Sequence, residues 1–136
     1  MTVLTDSAAH SECRIDAASY NGIIVLHIQG QLVSTTTPGL RADLAGVVGH
    51  RRILLELSGV SFLDSTGLGA LIGAIRRIHE GRGVVALCGA RAPIAAVLRT
   101  AGVEHLVHMT ESPADAAAWL LAQAGPEEGP AVFYGP

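Results

Sequence analysis

Three short apolar runs constrain this chain more than any other feature. They are Ile23-Ile24-Val25-Leu26-His27-Ile28, Arg52-Ile53-Leu54-Leu55-Glu56-Leu57 and Val84-Val85-Ala86-Leu87-Cys88. Runs of this length read as strands, and near-continuous apolar ones suit strands covered on both faces. The stretches between them have helical period instead. Leu40, Leu44, Val47 and Val48 follow Thr35-Thr36-Thr37-Pro38, where a threonine serves as N-cap and Pro38 sits near the first turn, and Gly49 stops that helix. Leu68, Leu71, Ile72, Ile75 and Ile78 form one amphipathic stripe that begins near Ser65 and ends at Gly81-Arg82-Gly83. A third helix follows Pro93, with Ile94, Val97, Leu98 and Ala101 inward, and stops at Gly102. Ser112-Pro113-Ala114-Asp115 opens a last one, with Ser112 as N-cap and Asp115 at the positive end of the helix dipole.

Asn21-Gly22 is a hairpin-turn signal joining a weak apolar pattern at 14–17 to the first run. Residues 58–63 read as a connecting loop anchored by Val60 and Phe62, and 103–109 as a short strand. The resulting order, β-β-α-β-α-β-α-β-α, implies an α/β domain with a mixed, mostly parallel sheet of five strands and four helices. The domain is expected over 13–124, after a flexible polar leader (1–12) and before a disordered Gly/Pro-rich tail (125–136).

Composition narrows the function classes. The 136 residues suffice for one domain with a core that needs neither disulfides nor metal. At 49% hydrophobic and 15% charged, with net charge −3, the chain offers no basic face for nucleic acid. No apolar stretch is long enough to span a bilayer, so no stable membrane insertion is expected. The start of the chain lacks the pattern of a signal peptide, which points to the cytoplasm. Cys13 and Cys88 form no CxxC pair, and Cys88 reads as a core residue. His10, His27, His50, His79, His105 and His108 are scattered. His105-x-x-His108 lacks further ligands, so no metal or other cofactor is expected.

The informative segment is Leu63-Asp64-Ser65-Thr66-Gly67-Leu68, at the start of the second helix. Helix starts leave backbone N–H groups unpaired and carry partial positive charge, and Asp, Ser and Thr all suit them. The residues alone therefore ask for no more than an N-cap. They include more capping side chains than a cap requires, and a phosphate on this helix end would be well accommodated. Gly69, Gly73, Arg76 and Arg77 fall off the apolar stripe. Glycines there are a tolerated weakness of the helix, serve close packing within the chain, or let another protein's backbone approach closely. Ser65 as an enzyme's nucleophile is disfavoured, because the spacing is not Gly-x-Ser-x-Gly, so no enzyme activity is expected.

The run Val60-Ser61-Phe62-Leu63-Asp64-Ser65-Thr66-Gly67-Leu68-Gly69 closely resembles the phosphorylation-site motif of the STAS-domain anti-sigma factor antagonists. The resemblance extends from about Gly22 to Leu120. It includes Leu26-His27-Ile28-Gln29-Gly30-Gln31-Leu32, Thr36-Thr37-Pro38-Gly39-Leu40, Gly83-Val84-Val85-Ala86-Leu87-Cys88 and Leu98-Arg99-Thr100-Ala101-Gly102-Val103. It implies a STAS fold and a partner switch. An anti-sigma factor that is also a serine kinase would bind the unmodified chain and release its sigma factor. Phosphorylation of Ser65 would end binding, and a serine phosphatase would restore it. The residues implied at the interface are Gln31, Asp64, Ser65, Thr66, Gly67, Gly69, Gly73 and Arg76. Gln31 and Val33 depart from the acidic pair often found in the family's Gly-Glu-Leu-Asp segment, a departure that also allows binding without phosphorylation. STAS-like domains also serve stress-sensing and lipid-transport complexes and occur as transporter tails, which for this chain would have to be a separate subunit. The alternative function is a binding module of that kind, without sigma-factor control.

Overall fold

A computed structural model describes residues 12–123. The expected leader, apart from Glu12, and the expected tail lie outside the described residues. Strands β1 (Cys13–Tyr20) and β2 (Ile23–Leu32) form a hairpin whose turn, Asn21-Gly22, has positive φ at both positions (+50° and +81°). That is the geometry a two-residue hairpin loop requires, and Asn-Gly is the pair that adopts it most readily. Next come α1 (Thr37–Ala45), β3 (Arg52–Leu63), α2 (Ser65–Glu80), β4 (Val84–Cys88), α3 (Ala92–Thr100), a 3-10 turn (Val103–His105), β5 (His108–Thr110) and α4 (Pro113–Ala122). The sheet order is β1-β2-β3-β4-β5, antiparallel between β1 and β2 and parallel elsewhere. The α/β fold expected from the apolar runs is the one observed.

The strands bury both faces because neighbouring residues point opposite ways. Ile53, Leu55 and Leu57 of β3 join the larger core under α1, α2 and α3, with Leu71, Ile75 and Leu98. Leu54 faces the smaller core under α4, with Ile23, Ala86, Cys88, Ala116 and Leu120. Each fully buried Leu or Ile contributes about 1.5–3 kcal/mol relative to exposure. Arg52 ties α4 down by donating from Nε to the Leu120 carbonyl and from a terminal nitrogen to that of Gln123, both at 2.8 Å.

Several local expectations are corrected. Residues 58–63 are not a loop: β3 runs on to Leu63, because β2 continues to Leu32 and offers it a parallel edge. The pairing slips between His27 and Gln29 and between Gly30 and Gln31, which accommodates the weak strand formers Ser58 and Gly59. Helix α1 ends at Ala45 with Gly46 as C-cap, not at Gly49. Val47 is still buried beyond it, while Val48 is exposed. Thr36 holds the N-cap position, but its hydroxyl turns back into the preceding loop and makes no cap bond. In α3 the inward stripe is Ile94, Ala95 and Leu98, whereas Val97 and Ala101 face outward. The expected strand at 103–109 is a 3-10 turn followed by the three residues of β5.

Candidate partner-binding site around Ser65

Asp64 organises the start of α2. Its backbone is extended, as an N-cap requires, and Gly67 N–H donates to Oδ1 at 2.8 Å. Ser34 N–H donates to Oδ2 at 3.3 Å, and Asp64 N–H donates to the Leu32 carbonyl at 3.0 Å. One carboxylate thus joins the helix start to the loop leaving β2. That loop is held from within. Val33 N–H donates to Thr36 Oγ1 at 3.0 Å, the Thr36 hydroxyl lies 2.8 Å from the Gln31 carbonyl, and the Thr37 hydroxyl donates to the Val33 carbonyl at 2.7 Å. Val33 therefore contributes mainly through its backbone.

Gly67 is buried against this loop. A Cβ there would collide with the Leu32 carbonyl oxygen, so only glycine lets α2 approach the end of β2 this closely. Its place is explained by packing inside the chain, and it presents no surface to a partner. Gly69 is the opposite case: a Cβ would meet no atom within 4 Å. Gly73 would meet only the Arg77 guanidinium, at 3.6 Å. Close packing within the described chain accounts for neither, which leaves a tolerated weakness of the helix or approach by another molecule.

Ser65 and Thr66 occupy the first two positions of α2, and both are exposed. No preceding turn offers their N–H groups an intrahelical acceptor. At 100° per residue, Ser65, Gly69, Gly73 and Arg76 share the outward side of α2. Arg76 and Arg77 have no carboxylate partner among the described residues. The helix thus presents a small-residue strip with hydroxyls at one end and free positive charge about 16 Å away at the other. Gln31 reaches the same end of the sheet, opposite Phe62 in the β2–β3 register.

Phe62 is the residue that sequence reasoning missed here. It was expected to anchor a loop inward, yet it is 53% exposed, two residues before Asp64. Placing it on a strand would have shown this, because alternation puts it on the side opposite Leu63. A shallow apolar groove of about 310 Å³ between Leu68, Ala96, Val97, Thr100 and Ala101 forms because Val97 and Ala101 face outward rather than into the core.

The described histidines do not assemble into a site. His108 stacks on Trp119 with ring centroids 4.5 Å apart, and His105 sits 3.9 Å from Glu104. No group of three metal-ligating side chains occurs among the described residues. Ser65 Oγ has no hydrogen-bonded base among them either. Cys88 is fully buried; burial, and secondarily the charge of Glu56, push its thiol up to about 11. Burial, with Asp43 adding to it, also raises Cys13. No described helix is long and apolar enough to cross a membrane.

Comparison with known proteins yields anti-sigma factor antagonists among the sequence relatives. Among the solved structures it yields both antagonists and the murine anion transporter Slc26a9, which superposes with a TM-score of 0.71 at 17% identity over 90% of this chain and 24% of that one. The chain is 26% identical over 93 residues to an anti-sigma F factor antagonist from Paenibacillus polymyxa, covering 66% of this chain and 80% of that protein. Its fold superposes with a TM-score of 0.71 on the crystal structure of an anti-sigma factor antagonist from Mycobacterium paratuberculosis. That match is at 21% identity and covers 80% and 94% of the two chains. It also superposes, with a TM-score of 0.60 and 18% identity over 79% and 97% of the chains, on the Bacillus cell fate determinant SpoIIAA in its phosphorylated form. The family model for the STAS domain matches residues 14–116, which takes in all of the sheet except Cys13 and the whole Ser65 junction. The chain belongs to the STAS domain family.

Proposed function

We propose that this protein is an anti-sigma factor antagonist. It binds an anti-sigma factor that is also a serine kinase, thereby freeing a sigma factor, and is switched off by phosphorylation of Ser65. The observation that carries this reading is the exposed Ser65 hydroxyl at the head of a helix face where Gly69 and Gly73 leave room for another chain to approach. The names of its relatives support the same role. A kinase would transfer the γ-phosphoryl group of ATP to Ser65 Oγ, with the hydroxyl proton leaving to solvent or a kinase base and ADP departing. A serine phosphatase would hydrolyse the ester and restore the hydroxyl.

The physical effect is local. Phosphate adds about −1.5 to −2 charges at the centre of the contact. The free N–H groups of the α2 start would donate to its oxygens, so the fold need not change. A partner packed against Gly69 and Gly73 would have to bury that charge, and the complex weakens. Gln31 and Phe62 would flank the contact on the strand side, and Arg76 would meet an acidic group further along.

Incubation with the cognate kinase and ATP is expected to add one phosphate, on Ser65. Ser65→Ala is expected to bind the kinase constitutively, and Ser65→Asp to bind poorly. A phosphate mapped to Thr66, or tight binding by both variants, would sink the assignment.

A further inference from the structure

The two edges of the sheet are managed differently. The β5 edge is three residues long. The β1 edge is eight residues long, without proline, lysine or bulge, and among the described residues its strand pairs only with β2. Long regular edges are templates for another strand. The backbone phase of β1 is fixed by the Gln31 N–H bond to the Glu12 carbonyl at 3.1 Å. Even-numbered residues of β1 therefore direct their N–H and C=O groups to β2, and Cys13, Ile15, Ala17 and Ser19 direct theirs outward.

We propose that β1 pairs antiparallel with β1 of a second copy of this chain, centred on Ile15, to make one continuous sheet across a two-fold axis. The charges on the edge select that register. Centring on Ile15 sets Arg14 opposite the second copy's Asp16, and Asp16 opposite its Arg14. Both pairs fall at the closer, non-hydrogen-bonded positions. Centring on Arg14 would oppose two arginines, and centring on Asp16 would oppose two aspartates. Centring on Ala17 would leave all four charges without a partner across the seam. Arg14 and Asp16 already point the same way, their charged groups 3.9 Å apart within one chain, with side chains 64% and 63% exposed. On the other face the Ile15 register sets Ile15 against itself and Cys13 against Ala17. About six main-chain hydrogen bonds would close through the outward-directed residues.

A second copy is favoured over an unrelated strand because this charge pattern is complementary to itself. The same two charges could instead serve only to discourage edge pairing, and charge exchange separates the two cases. Wild-type full-length chain is expected to show a concentration-dependent doubling of mass in sedimentation equilibrium. Arg14→Asp and Asp16→Arg, each with unchanged circular dichroism, are expected to weaken self-association at least tenfold. An equimolar mixture of the two variants is expected to recover it, because each supplies the charges the other lacks. Ala17→Pro, which removes an outward N–H and leaves the β1–β2 ladder intact, is expected to abolish it. A wild-type chain that stays monomeric at millimolar concentration overturns the proposal. So does a mixture that associates no better than either variant alone, or an Ala17→Pro chain that dimerises like wild type.

Discussion

Helices α2 and α4 begin with the same local chemistry and lead to different ends. Each has a short polar N-cap whose side chain accepts the N–H three residues on: Gly67 N to Asp64 Oδ1 at 2.8 Å, and Asp115 N to Ser112 Oγ at 3.0 Å. In α4 the first turn also carries its own carboxylate, Asp115, which complements the positive helix end. In α2 the first turn has no acidic residue and presents Ser65 and Thr66 instead. Beyond the cap, α4 is largely alanine and buries Ala116 and Leu120, whereas α2 turns Gly69 and Gly73 outward at a cost of about 1 kcal/mol each against alanine. Each start therefore carries one carboxylate, at the cap itself in α2 (Asp64) and in the first turn in α4 (Asp115). What distinguishes the α2 start is the pair of exposed hydroxyls, Ser65 and Thr66, that follows its cap.

The sharpest way to break this comparison is to put the same methyl group at two glycines of α2. Gly67→Ala drives a Cβ into the Leu32 carbonyl and is expected to cost about 3 kcal/mol or more in chemical denaturation. Gly69→Ala meets open space and is expected to stabilise the isolated chain by up to about 1 kcal/mol. It is expected at the same time to weaken kinase binding about tenfold, equivalent to about 1.4 kcal/mol. If Gly69→Ala changed stability without changing binding, the outward face of α2 would not be the contact.

The two caps give a smaller contrast. Ser112→Ala removes one cap bond and is expected to cost about 1 kcal/mol. Asp64→Ala also releases Ser34 and is expected to cost about 2 kcal/mol, with faster amide exchange at Ser34 as well as at Gly67. Equal costs would mean that the Ser34 link contributes nothing.

The smallest effect lies in the core under α4. The Cys88 thiol is held up to about 11 against 9.0 for the free side chain, so the folded chain keeps a proton that the unfolded chain loses. Stability from this source is full below pH 9 and falls as pH rises towards about 11. Denaturation midpoints at about pH 8 and about pH 10.5 should therefore differ by more in wild type than in Cys88→Ala. An identical pH dependence in the two proteins would remove Cys88 as the cause.

Features that depend on a few adjacent residues were legible in the sequence. Asn21-Gly22 fixed the hairpin and Asp64 the start of α2, because turn and cap chemistry act within four residues. The three apolar runs gave the sheet, because burial on both faces leaves little choice of residue. What was not legible depends on distant neighbours. Residues 58–63 become strand only because β2 continues past Gly30 to receive them, and that extension is what exposes Phe62. Val97 and Ala101 fit a helical stripe as well as Ile94 and Leu98 do. Only the packing of α3 on the core decides which stripe is inward. Gly67 and Gly69 stand two residues apart in one motif, and nothing local says that one is required by the fold and the other is open. The candidate site was thus legible in its motif, while which of its glycines the fold requires needed the structure.

The measurement that tests the Ser65 switch most directly is the dissociation constant of the cognate anti-sigma kinase for unmodified and Ser65-phosphorylated protein, taken alongside the melting temperature of each. Phosphorylation is expected to weaken binding about 100-fold or more, equivalent to about 2.7 kcal/mol, with the melting temperature nearly unchanged. Equal dissociation constants for the two forms would contradict it.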